Sequence, residues 1–234
     1  MTSTTAAVRP NWTFDTFIML IAMVGLWAVA FFFGPAALRD RGISLDEEQL
    51  RLLFLALAMT LVLAAHKGKL IRFTLYERAP GASWVWIGAL VFAFLLWLFF
   101  LVLETTLKVP PEPAMQDYKK SVAAGGAALA IAVVMTCLVT PIVEELVFRL
   151  LMVDAFQPET GRRMFILVGT LTSLAFSVAH CQYVNLSSYA WLFCVGWLCY
   201  AGRFLSGGIA LPILIHLTVN AIPSISIYVR SLAN

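Results

Sequence analysis

Residues 164–202 read MFILVGTLTSLAFSVAHCQYVNLSSYAWLFCVGWLCYAG and carry no formal charge. About 20 apolar residues cross a bilayer, so this stretch is too long for one helix, and the polar group Gln182, Asn185, Ser187 and Ser188 is where it breaks. A membrane helix on either side of that break is the reading that sets the fold class. On the C-terminal side, Phe204 to Val229 forms another span, with one titratable residue, His216, near its middle. Gly207 and Gly208 lie at its entry, and Pro212 and Pro223 are expected kinks. On the N-terminal side, Val122 to Val143 is apolar, is rich in Gly and Ala at Ala123 to Ala130, and ends on two glutamates. Small residues of that kind let helices approach closely inside a bundle.

Further upstream, Trp84 to Leu103 is the cleanest span, and Thr16 to Leu38 is a second, expected to be retained rather than cleaved as a signal peptide. Leu52 to Ala65 is shorter and requires either Arg51 and Lys67 as snorkelling flanks or shielding by neighbouring helices. The connection Glu104 to Ser121, with Val-Pro-Pro-Glu-Pro at 109–113, reads as a rigid, non-helical linker. The expected architecture is therefore all-α: a polytopic membrane bundle of about seven helices forming one embedded domain over 1–234. Residues 1–121 supply three N-terminal helices and the linker, and 122–230 supply a core of four helices that holds nearly every buried polar candidate. Lys and Arg are balanced between the two sets of flanks, so the positive-inside rule selects no orientation.

Composition agrees. The 234 residues are 61% hydrophobic and 12% charged, with a mean hydropathy of +0.88, which excludes an ordinary water-soluble, disordered or fibrous chain. A scattered net charge of +3 gives no reason to expect a nucleic-acid partner. Cys137, Cys181, Cys194 and Cys199 lie in apolar stretches without a Cys-x-x-Cys pair, so they read as small core residues rather than a disulfide or zinc framework.

Charges in or beside membrane spans are costly and mark function by default. Glu144, Glu145 and Arg149 are three such charges. Residues four apart on a helix share a face, whereas residues one apart point about 100° away from each other. Glu145 therefore pairs with Arg149 as a site-shaping pair, and Glu144 is left to face a cavity as base or metal ligand. His180 falls at the end of one helix and His216 in the middle of another; Phe176 stands one turn before His180, and Asn220 one turn after His216. An aromatic ring at that spacing can fix the imidazole of His180. A carboxylate beside an imidazole can activate water, and an imidazole with an amide can donate to a developing oxyanion, so the constellation points to hydrolysis. A lone membrane histidine is more often a helix-to-helix hydrogen-bonding residue, and a Glu-Glu pair ending an apolar run is usually an interfacial flank. The joint occurrence of these groups on three helices of one bundle is what favours a single site.

Glu144-Glu145-x-x-x-Arg149, Phe176-x-x-x-His180 and His216-x-x-x-Asn220 occur in the order found in the CAAX protease and bacteriocin-processing family, which the chain resembles over residues 122–230. That family comprises intramembrane type II CAAX prenyl endopeptidases and their bacterial relatives. Gly196, Tyr200, Ser206, Gly207 and Pro212 resemble the family's usual approach to the last histidine. The resemblance implies that Glu144 is the general base, that His180 helps to hold the attacking water, and that His216 and Asn220 stabilise the oxyanion. Glu145, Arg149 and Phe176 would shape the site. The family has also been described as metal-dependent, and Glu144, His180 and His216 would make an acceptable zinc set with water in the fourth place, although no His-Glu-x-x-His is present. The implied partners are the lipid bilayer and a membrane-attached protein or peptide, lipidated or carrying a transmembrane segment. A compact chain without appended soluble domains fits a bacterial cytoplasmic-membrane enzyme better than a eukaryotic one. Two rival readings are a non-proteolytic immunity or binding protein on the same fold, and a small transporter, against which no repeat relates the two halves.

Overall fold

The computed structural model describes residues 82–153 and 161–232. The spans expected at 16–38 and 52–65 lie outside the described residues. Within them the structure is helical: α1 (Ala82–Leu107), α2 (Pro113–Ala124), α3 (Gly126–Leu151), α4 (Arg162–Ala179), α5 (Leu186–Ser206) and α6 (Ala210–Leu232), with no strand among the described residues. Four of these, α1, α3, α4 and α6, are long and apolar enough to cross a membrane. The fifth expected span, α5, has 21 residues, about 31 Å of helix at 1.5 Å per residue, and packs against α1, α4 and α6.

The bundle is built for an apolar solvent. Along α4 the residues Leu167, Leu171, Leu174 and Val178 recur at helical spacing and are exposed, whereas Val168, Gly169, Thr172, Ser173 and Phe176 are buried. The inward face is thus the smaller and more polar one. At the α4–α5 crossing a Cβ on Gly169 would lie 2.6 Å from the Trp197 ring, and one on Gly196 would lie 3.0 Å from Ser173 Cβ. Only hydrogen at these two positions lets the backbones approach so closely. Ala93 of α1 packs with Val195, Cys199, Leu211, Ile215 and Val219 in one core, so α1 belongs to the same bundle as the later helices.

Three departures from the sequence reading concern the middle of the chain. Only Lys108–Glu112 interrupts the helices there, because Pro113, which lacks an N–H that a first helical turn has no use for, opens α2. The apolar helix begins at Gly126 rather than Val122, since Gly125 and Gly126 adopt positive φ of 67° and 54°. It also does not end on the glutamates but continues to Leu151, because those side chains find partners inside the bundle. Pro212 stands in the first turn of α6, where its missing N–H breaks no helical bond. Cys181, read as a core residue, is exposed in the turn after α4; Cys199 alone of the four cysteines is fully buried.

Two stretches of α3 are π-helical, Met135–Val139 and Leu146–Leu151, and they flank the glutamate pair. The first has a visible cause. Pro141 has no N–H to return to the preceding turn, and Thr140 N–H bonds five residues back, to Met135. The Thr136 carbonyl instead accepts a hydrogen bond from Asn220 Nδ2 of α6, at 2.9 Å. One turn further along α6, Tyr118 of α2 donates to Ser224 Oγ at 2.8 Å, joining α2 to the bundle, and burial pushes the Tyr118 phenol above its ordinary value.

Candidate functional site

Helix periodicity turns Glu144 and Glu145 to different sides of α3, and the rest of the bundle gives them opposite surroundings. The Glu145 side chain is fully buried. Its Oε2 lies 3.3 Å from Arg149 Nε one turn on, and its Oε1 accepts from His216 Nδ1 at 2.9 Å. Arg149, also fully buried, donates through Nη2 to the Gly196 carbonyl at 3.0 Å and lies 4.5 Å over the Phe176 ring. A buried charge persists only when paired and hydrogen-bonded, and this arginine is held by a carboxylate, a carbonyl and an aromatic face. The close α4–α5 crossing at Gly196 contributes the carbonyl.

Glu144 is 20% exposed, and each of its oxygens faces a histidine: Oε1 lies 3.7 Å from His180 Nε2 and Oε2 lies 3.6 Å from His216 Nε2. Both separations exceed a direct hydrogen bond, and Oε2 is buried without a hydrogen-bond partner among the described residues. The two rings are oriented from behind. His180 caps α4 and gives its Nδ1–H to the Phe176 carbonyl at 2.8 Å, while His216 gives its Nδ1–H to Glu145. In the neutral rings Nε2 is therefore the acceptor nitrogen. Phe176, fully buried, packs edge-on against both imidazoles, with centroids 4.7 Å from His180 and 5.5 Å from His216.

Glu144, Glu145, Arg149, Phe176, His180 and His216 are thus assembled from α3, α4 and α6 into one cluster. Asn220, one turn beyond His216, has one amide hydrogen committed to Thr136. Sequence spacing had paired Glu145 with Arg149 only, and the His216–Glu145 bond, across 71 residues, was not anticipated. A buried carboxylate that must also anchor a buried histidine was the available signal.

Three acceptors converge in this cluster, a carboxylate and two imidazole Nε2 atoms. Such a set suits a water molecule, which has two hydrogens to give, and its donor types also suit zinc. Both rings have Nδ1 held by a carbonyl or a carboxylate, as zinc-binding histidines usually do. Among the described residues no three His, Cys, Asp or Glu side chains stand as a ready metal site, and Glu144 lies 3.6–3.7 Å from the nearest nitrogen of each ring.

Residues 126–222, which include every one of these side chains, match the family described as Rce1-like, type II CAAX prenyl endopeptidase Rce1-like. Over 140 residues the chain is 31% identical to an uncharacterized 24.3 kDa protein of Escherichia coli, covering 60% of this chain and 61% of that relative. The alignment thus spans less than two thirds of the relative's length. No solved structure matches the chain. The resemblance drawn from the three motifs is borne out over the matched segment, and the four long apolar helices mark the chain as an integral membrane protein.

Proposed function

We propose that this chain is an intramembrane endopeptidase that hydrolyses a peptide bond of a membrane-attached protein or peptide, lipidated or carrying a transmembrane segment. One observation carries the reading: of the two adjacent carboxylates of α3, Glu144 is the partly exposed one, with a histidine Nε2 opposite each oxygen at 3.6–3.7 Å. Its neighbour Glu145 is spent on Arg149 and His216.

In this scheme a water between Glu144 and the histidines gives one hydrogen bond to the carboxylate and one to His180 Nε2, which aims its lone pair at the scissile carbonyl. Glu144 takes the proton as the C–O bond forms, and returns it to the amide nitrogen as the C–N bond breaks. The oxyanion receives the Asn220 amide hydrogen that Thr136 does not use, and His216 adds to it when its Nε2 carries a proton, because its Nδ1–H is committed to Glu145. Glu145, Arg149 and Phe176 hold these groups in place. Zinc at Glu144, His180 and His216 would supply Lewis acidity and a more acidic water, and this metal-assisted version is the competing form of the proposal. The location in this scheme is a bacterial cytoplasmic membrane, to which the Escherichia coli relative lends only its bacterial source.

The test is to map membrane-protein termini in cells carrying the wild-type chain or Glu144→Gln at matched abundance, which presupposes no substrate. New termini found only with the wild type support proteolysis and give the cleaved sequence. Identical sets with a persisting biological effect would turn the fold to binding or immunity. Cleavage of the mapped sequence in vesicles is expected to stay within about twofold after treatment with a strong zinc chelator. A loss restored by added zinc would favour the metal-assisted version.

A further inference from the structure

The linker between α1 and α2 carries a carboxylate that the reaction scheme does not use. Glu112 is the N-cap residue of α2, with extended backbone (φ −62°, ψ 130°), yet its side chain makes no capping bond there. It turns instead to the start of α5. Val184 N–H donates to Oε2 at 3.0 Å, and Asn185 N–H and the Ser188 hydroxyl donate to Oε1 at 2.8 and 2.6 Å. Asn185, the N-cap of α5, makes no side-chain cap of its own, and its amide donates to the Pro110 carbonyl at 2.8 Å. A residue 72 positions earlier in the chain therefore does the capping of α5, and it is buried to 8% exposure in doing so. A carboxylate accepting several donors at a helix N-terminus is among the stronger polar contacts available to a protein.

The amides so held lie a few residues from His180. In between, Tyr183 N–H donates to the His180 carbonyl at 3.1 Å, and the Tyr183 ring stacks on the imidazole, 6.1 Å between centroids and 14° from parallel. Tyr189 of α5 fixes the same turn by donating to the Tyr183 carbonyl at 2.8 Å. The imidazole of His180 thus stands between the end of α4, which fixes its Nδ1, and a turn tied down from the far side by the linker.

We infer that Glu112 is a positioning residue for His180: by anchoring residues 184 and 185 it fixes the turn after α4, and with it the separation of His180 Nε2 from Glu144. Glu112 acts through that turn. It lies outside the segment that matches the family. The inference rests on the proposed pairing of Glu144 with His180 as the working site. A natural control is Glu104, which accepts from the Ser187 hydroxyl at 2.8 Å and so grips the same helix end without holding the backbone of the turn.

The test uses the full chain in vesicles and needs no substrate. Modification by diethyl pyrocarbonate is followed by mass spectrometry at His180 and, as internal reference, at His216. Glu112→Ala is expected to speed modification of His180 about fivefold while His216 stays within about twofold, and Glu104→Gln is expected to change neither. Ser188→Ala, which removes one donor, gives an intermediate rate and serves where Glu112→Ala does not accumulate. An unchanged His180 rate, or equal acceleration at both histidines, overturns the inference. On a peptide bearing the mapped cleavage site, kcat falls about tenfold in Glu112→Ala with KM within about twofold, and Glu112→Gln, which keeps one acceptor oxygen, recovers part of the loss. A chain that cleaves nothing would defeat the protease reading, and the labelling would still decide the role of Glu112.

Discussion

Glu144 and Glu145 are neighbours in the chain and occupy opposite regions of the molecule. On one side of α3 lies a sealed compartment, where the buried Glu145–Arg149 ion pair is held by the Gly196 carbonyl and the Phe176 ring with no exposed surface on either charged side chain. On the other lies a partly open one, where Glu144 stands 3.6–3.7 Å from two histidines whose other ring nitrogens are already held. The rotation of about 100° per residue in a helix separates the two, and partners from α4, α5 and α6 finish the division. The difference teaches that an acidic pair in a membrane helix need not be two copies of one function: one carboxylate is consumed in holding the site, which leaves the other reactive. His216 is the link, since its Nδ1 belongs to the sealed side and its Nε2 to the open one.

The largest expected effect breaks the sealed side. Arg149→Ala leaves Glu145 buried against a histidine alone, and removal of one partner of a buried ion pair costs about 3–5 kcal/mol. Folded protein recovered from the membrane should fall accordingly, and normal recovery with normal thermal stability would mean that the compartment is not sealed. His216→Ala cuts the link between the two sides: activity should fall about 100-fold, mostly in kcat, because the contact to the oxyanion strengthens only in the transition state. A loss confined to KM would move His216 to substrate binding. Asn220→Ala is smaller and double-edged. It orphans the Thr136 carbonyl, which costs about 1–3 kcal/mol of stability, and it lowers kcat more than it raises KM. Loss of stability with kcat intact would assign Asn220 to the π turn alone.

Much of this was legible in the sequence because it depends on one helix at a time. Charge-free length gave the spans, and spacing by four put Arg149 on the face of Glu145 and Phe176 on the face of His180. What sequence spacing could not supply are contacts between distant segments. The His216–Glu145 bond, the hold of Glu112 on α5 and the Asn220–Thr136 bond join residues 71 to 84 positions apart, and no periodicity encodes them. The extent of α3 is not legible because charges look like the end of a membrane span unless their buried partners are known. α2 was missed because Val-Pro-Pro-Glu-Pro reads as a linker, although Pro113 is also a good first residue of a helix. The π turn could have been suspected from Pro141, whose missing donor lies one turn past Cys137 in an otherwise regular apolar run.

The measurement that bears most directly on the division of labour sets Glu144→Gln beside Glu145→Gln, with cleavage rate per folded molecule and melting temperature read for both. The account predicts opposite signatures: Glu144→Gln melts within about 2 °C of the wild type and loses about 1,000-fold in rate, whereas Glu145→Gln melts many degrees lower. Equal signatures, or a Glu144→Gln chain that cleaves at the wild-type rate, would contradict it.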